Sequence, residues 1–177
     1  LYVENLNSEI TFTNLQPNHL AKLNGELIIS NSKDGLDRYR NGQLSTLLES
    51  PANHAYIFLK TDPSNHSIIG ASSKFRWYQE DKLFEALFSI KDIVPISKNN
   101  YAFAASRYIG LVTNDPTIHE QNKIKFPQHI TREENGLYYT IFSQELNGVS
   151  VTYNAVKDII YYASKNGLYQ MKNRSLS

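Results

Sequence analysis

The sequence contains no cysteine, which removes disulfides, thiolate metal sites, cysteine nucleophiles and thiol redox switching together. An excess of either charge is missing too: Lys plus Arg number 18 and Asp plus Glu 17, for a formal net charge of +1. Without a global field to draw in polyanions, nucleic-acid binding is excluded as an organising function. No apolar run approaches the roughly 20 residues that span a bilayer, and no basic region leads into an apolar stretch and cleavage site at Leu1. Eight Gly and six Pro in 177 residues are too few for collagen-like or low-complexity chains. With 41% hydrophobic and 20% charged residues, the chain reads as one folded domain, 1–177, with a real core. A start on Leu1 instead of Met reads as a trimmed end, made by processing or by cutting between membrane segments.

Residues 1–50 read as a helical N-terminal region. Leu20, Leu23 and Leu27 behind Pro17, and Leu36, Tyr39, Leu44, Leu47 and Leu48, have helical spacing, punctuated by Asn24-Gly25 and Asn41-Gly42. Tyr56 to Leu59 and Ile68 to Phe75 predict a β-hairpin with a polar tip. Leu83, Phe84, Leu87 and Phe88 predict a helix between Tyr78 and Ile93, ended by Pro95. Strands follow over 101–113, up to the turn signal Asn114-Asp115-Pro116. Residues 114–136 read as the longest irregular stretch, one that could cover a site. Asn147-Gly148 predicts a two-residue hairpin between strands ending near Leu146 and beginning at Val149, and Ala155 to Lys165 a last helix stopped by Asn166-Gly167. The expected class is α+β: an antiparallel central sheet of about five strands flanked by helices.

Catalytic signatures are sparse. No Gly-rich phosphate loop or His-Glu-x-x-His occurs, His19, His54, His66, His119 and His129 lack metal-ligand spacing, and no serine sits in Gly-x-Ser-x-Gly. No catalytic residue, metal ligand or cofactor is therefore assigned, and the domain is read as non-enzymatic. The unusual local feature is Lys74-Phe75-Arg76-Trp77-Tyr78, which holds the single Trp. A guanidinium beside an indole and a phenol can grip a carboxylate and offer it a flat wall. Equally, Trp77 can fill a core while Arg76 reaches for water.

This corner resembles the Arg-x-Arg-Pro-Trp-Tyr corner of the extracytoplasmic Cache sensor domains, PAS-like input modules of bacterial chemoreceptors, histidine kinases and diguanylate cyclases. A second segment, Asn147 to Asn154 continuing into Val156-Lys157-Asp158-Ile159, is similar to their closing hairpin, in which a Gly-Val strand runs into a helix. The resemblance covers 54–165. It implies a PAS-like fold and a periplasmic sensor domain held in an inner-membrane protein by flanking segments, homodimeric in the intact receptor. It also implies a small anionic ligand, with Arg76 as anchor, Trp77 and Tyr78 as walls, and Lys74, Tyr101, Arg107 and Tyr139 nearby. Tyr153, the last candidate contact, stands where many amino-acid-binding members keep an aspartate.

Two other readings compete. One is a protein-interaction module, such as a surface, secretion-system or phage component, using the faces supplied by twelve tyrosines. The other is an enzyme whose site is assembled by folding from His119, His129 and Glu133.

Overall fold

The computed structural model describes residues 17–31, 35–48, 58–62, 66–71, 74–86, 90–172 and 175–176. They form four antiparallel sheets in chain order. Sheet A is a meander of β1 (Pro17–Leu23), β2 (Glu26–Asn31), β3 (Gly35–Arg40) and β4 (Gln43–Leu48). Sheet B repeats the plan with β5 (Phe58–Thr61), β6 (Ser67–Ala71), β7 (Phe75–Gln79) and β8 (Lys82–Ala86). Sheet C contains β9 (Ile90–Ser97), β10 (Asn100–Ala105), β11 (Ile109–Thr113), β12 (Ile130–Glu134) and β13 (Leu137–Ser143), with α1 (Pro116–Lys125) between β11 and β12. Its order is β12-β13-β11-β10-β9, so the chain leaves β11 through α1, lays β12 on the outside and returns as β13. Sheet D is again a meander, of β14 (Gly148–Asn154), β15 (Ile159–Ser164), β16 (Gly167–Lys172) and β17 (Ser175–Leu176).

This architecture overturns the expected α+β class and, with it, the Cache resemblance. The supposed N-terminal helices are hairpins. Asn24 and Gly25 adopt φ of 50° and 85°, and Asn41 and Gly42 49° and 82°. Two consecutive positive φ values match the twist of a two-residue hairpin turn and stop a helix outright. Leu20 and Leu23 therefore lie on β1 and Leu27 on β2, while Leu36 and Tyr39 on β3 face β4, which carries Leu44, Leu47 and Leu48. Leu83 and Phe84 belong to strand β8; Leu87 and Phe88 lie outside the described residues. Ala155–Asp158 is a turn leading into β15 where the last helix was expected. Asn147-Gly148 makes no hairpin, because β13 and β14 belong to different sheets. The one helix among the described residues stands in the stretch that read as irregular. Its start is encoded by Asp115, whose carboxylate accepts from Thr117 N (2.8 Å) and Ile118 N (3.4 Å), and by Pro116 just inside.

Each sheet packs on the next through its own core layer. Between A and B lie Leu23, Ile28, Leu36 and Leu59. Between B and C, Phe75 and Trp77 meet Tyr101, Phe103 and Tyr139, and between C and D, Leu111, Phe126 and Phe142 meet Ile160 and Tyr162. Strand β10 is buried along its whole length because it is covered on both faces. Tyr101, Phe103 and Ala105 point to sheet B and Ala102 and Ala104 to sheet D, so bulk alternates with smallness. Burying a side chain such as Phe103 contributes roughly 1.5–3 kcal/mol.

The first strands of the four sheets stand side by side and are tied by polar contacts. Lys22 N on β1 donates to Thr61 Oγ1 at the end of β5 (3.2 Å). Lys60 Nζ on β5 donates to Asp92 Oδ1 (2.7 Å) and Ile93 O (2.8 Å) on β9. The other Asp92 oxygen accepts from Ser150 Oγ (2.8 Å) and Val151 N (3.0 Å) on β14. Burial pushes the Asp92 carboxyl up, but the Lys60 ammonium, the Val151 amide and the Ser150 hydroxyl together hold it below the ordinary aspartate value.

Candidate functional site

The Lys74–Tyr78 corner is no corner. It leads into β7, a central strand of sheet B, and alternation along that strand sends its side chains to opposite faces. Trp77 is fully buried, edge-on to Tyr101 at 4.9 Å between ring centres; Tyr139 lies in the same layer, edge-on to Phe103 at 6.0 Å. Burial raises the hydroxyl pKa of both tyrosines. On the other face, Arg76 sits opposite Glu85 of β8, and the Glu85 carboxylate accepts from Arg76 Nε (2.9 Å) and Lys74 Nζ (2.6 Å). Tyr78 OH donates to Asp81 in the β7–β8 turn (2.8 Å). Arg107 is exposed in the bend between β10 and β11, and Tyr153 on β14 donates to Asp158 (2.9 Å). The fold thus gathers Trp77, Tyr101 and Tyr139 into packing, engages Lys74 and Arg76 with one carboxylate, and leaves Arg107 and Tyr153 on other elements.

A cleft of about 270 Å³ lies instead beside the extra strand of sheet C. Its walls are Pro116, His119, Glu120 and Lys123 of α1 and Thr131, Arg132 and Glu133 of β12, with Tyr138 of β13. Register explains the floor: Glu133 is opposite Tyr138 and Thr131 opposite Thr140, so Thr131, Glu133, Tyr138 and Thr140 share one face. Tyr138 marks that face as the one under α1, since its ring stacks on His119 at 4.9 Å and 29°. His119 is 5% exposed and, among the described residues, its Nδ1 has no hydrogen-bond partner. Thr140 Oγ1, buried on the same face, also has none. Burial is the main cause of the lowered His119 pKa; Lys123 pushes the same way, and Glu120 and Glu133 oppose.

Of the three residues expected for an assembled enzyme site, the fold brings His119 and Glu133 to this cleft. His129 packs instead with Phe126 (6.2 Å) and Phe142 (5.0 Å). Among the described residues no group of three His, Asp or Glu is placed to hold a metal. A second cleft, about 380 Å³, lies where the β7–β8 and β9–β10 turns meet the start of α1; Asn114 Nδ2 donates there to Gln79 Oε1 (2.7 Å). Sequence reasoning missed α1 as a wall, although Asn114-Asp115-Pro116 is as good a helix start as a turn.

Among the described residues no strand pairs with the outer edge of β12, which borders the first cleft. Asn135 and Gly136 have φ of 51° and 76°, the turn of a two-residue hairpin, and Glu134 is opposite Leu137. The pair flanking such a turn exchanges both backbone hydrogen bonds, and bonded pairs then alternate along the ladder. Glu134, Arg132 and Ile130 therefore bond to β13, whereas the amides and carbonyls of Thr131 and Glu133 point outward, where sheet C ends.

No family model matches the chain, and no curated protein matches it. Solved structures do. The computationally designed Ika4 protein is similar over 93% of this chain and 95% of its own, with a TM-score of 0.56 and 10% identity. The WD40 β-propeller domain of Doa1 (TM-score 0.40, 14% identity) aligns with 89% of this chain, which spans 62% of that domain. PorZ, a surface component of the type-IX secretion system of Porphyromonas gingivalis (TM-score 0.39, 9% identity), aligns with 90%, which spans 33% of it. At these identities the likeness to Ika4 bears on fold alone.

Proposed function

We propose that this chain is a non-enzymatic protein-interaction module that takes an extended segment of a partner onto the free edge of β12. One observation carries the reading: sheet C has a strand beyond the four-strand plan, and its outward backbone borders a cleft whose buried His119 has a nitrogen without a partner among the described residues. Strand addition draws affinity from main-chain hydrogen bonds and specificity from pockets for alternate side chains. Both parts are here, because Thr131 and Glu133 supply the outward backbone groups and also line the cleft. Charges along Arg132, Glu133 and Glu134 discourage indiscriminate edge pairing, leaving selection to the cleft.

The sensor expectation stood on the Lys74–Tyr78 corner and the Asn147-Gly148 hairpin, and neither exists in this fold.

Random peptides of about twelve residues, displayed and panned against the folded chain, should yield binders with Kd in the micromolar range. These should weaken about tenfold or more on Thr131→Pro. Proline at 131 removes an outward amide and no ladder bond, so the sheet survives it. Peptides that bind Thr131→Pro as tightly as the parent contradict the reading.

A further inference from the structure

Among the described residues, one charge at the α1–β12 cleft has no ion-pair partner. Lys123 is held by Glu120 at 2.7 Å, one turn along α1. The Arg132 guanidinium lies over the Tyr108 ring at 5.7 Å, and alternation along β12 sets Arg132 on the face opposite Thr131 and Glu133. Among the described residues the Glu133 carboxylate forms no ion pair, and it is exposed on the cleft side of the edge strand. Beside it stand the stacked rings of His119 and Tyr138. A carboxylate beside aromatic rings is a setting for an ammonium or, better, a planar guanidinium, which can bond the carboxylate with two N–H groups while lying against a ring.

Resting on the strand-addition reading, we propose that the segment bound on β12 is selected for an arginine or lysine placed opposite Glu133. A strand paired with β12 sets the side chain opposite Glu133 on the same face, with Cβ atoms about 4.5–5.5 Å apart. Its basic group then reaches the carboxylate and the rim of the ring stack, while its neighbours in sequence point away from the cleft. An acidic residue at that place meets Glu133 directly and is rejected.

Three seven-residue probes test this, all acetyl-Thr-Val-Thr-X-Thr-Val-Thr-amide, with X as Arg, norleucine or Glu. They are titrated into the ¹⁵N-labelled chain and followed by amide chemical shifts. All but the Glu probe should move the Thr131 and Glu133 amides, with the Arg probe binding about fivefold tighter than norleucine. Glu133→Gln should bring those two probes together, and Thr131→Pro should weaken both. Equal binding of the Arg and norleucine probes at β12 overturns selection for a basic side chain and leaves strand addition standing. No shift at Thr131 or Glu133 with any probe overturns both.

Discussion

Asp92 joins three sheets with one carboxylate: it sits on β9 and accepts from Lys60 on β5 and from Ser150 and Val151 on β14. Asparagine is nearly isosteric but presents an NH₂ where an acceptor is required. Asp92→Asn should therefore cost about 1–3 kcal/mol, read as a lower urea midpoint at unchanged slope. Because the folded pKa lies below the ordinary 3.8, this stability is fully present above that value and is lost as pH falls through the folded pKa. The parent and Asp92→Asn should converge in stability on acidification below pH 3.8.

His119 titrates in the same sense but in a higher window. Its folded pKa lies below the ordinary 6.5, so the unfolded chain binds the proton first. Stability should fall with pH from about 6.5 downward until the folded form also protonates. His119→Gln should flatten that slope in urea unfolding between about pH 5.5 and 7.5; an unchanged slope would mean that another group carries it.

At the scale of elements, β11 and β13 approach so closely that a Cβ on Gly110 would run into the Thr140 carbonyl oxygen. Tyr162 OH, donating to Gly110 O at 3.1 Å, fixes the same spot from sheet D. Gly110→Ala should cost more than about 2 kcal/mol by forcing the strands apart, whereas Gly25→Ala, with open space around the added carbon, should cost only the strain of its positive φ.

Element types were only partly legible in the sequence. Asn24-Gly25 and Asn41-Gly42 were visible as breaks, but leucines on either side of a two-residue turn fall at intervals of three and four and imitate a helical face. Leu20, Leu23 and Leu27 do this across β1 and β2. Burial on both faces hid other strands: Ile159 and Ile160 are adjacent and both buried, so the alternation that betrays a strand is absent. The antiparallel pairing of β5 with β6 was legible, because a polar tip separates two apolar runs. Helix α1, with His119 and Asn122 as its buried residues, has no apolar stripe to find; its cap was the available signal.

For the whole molecule, the sequence carried composition and charge but not the number of sheets. Sheets A, B and D are of similar length, but the third is enlarged by α1 and β12 and the sheets start at irregular intervals, so no period appears. The site was half legible: His119 and Glu133 were singled out as residues that folding could unite, while the aromatic corner around Trp77 became core because β7 is central in its sheet. The molecule that results is a set of four antiparallel sheets whose distinctive surface is an added edge strand with a cleft alongside.

Hydrogen exchange at single-residue resolution along β12, with and without the Arg probe, tests that surface most directly. In the free chain Arg132 and Glu134 amides should be protected and Thr131 and Glu133 should exchange freely, an alternation set by the Asn135-Gly136 hairpin. On binding, Thr131 and Glu133 should slow at least about tenfold. If they stay fast while protection rises elsewhere, the partner docks on another face and the assignment of β12 is wrong.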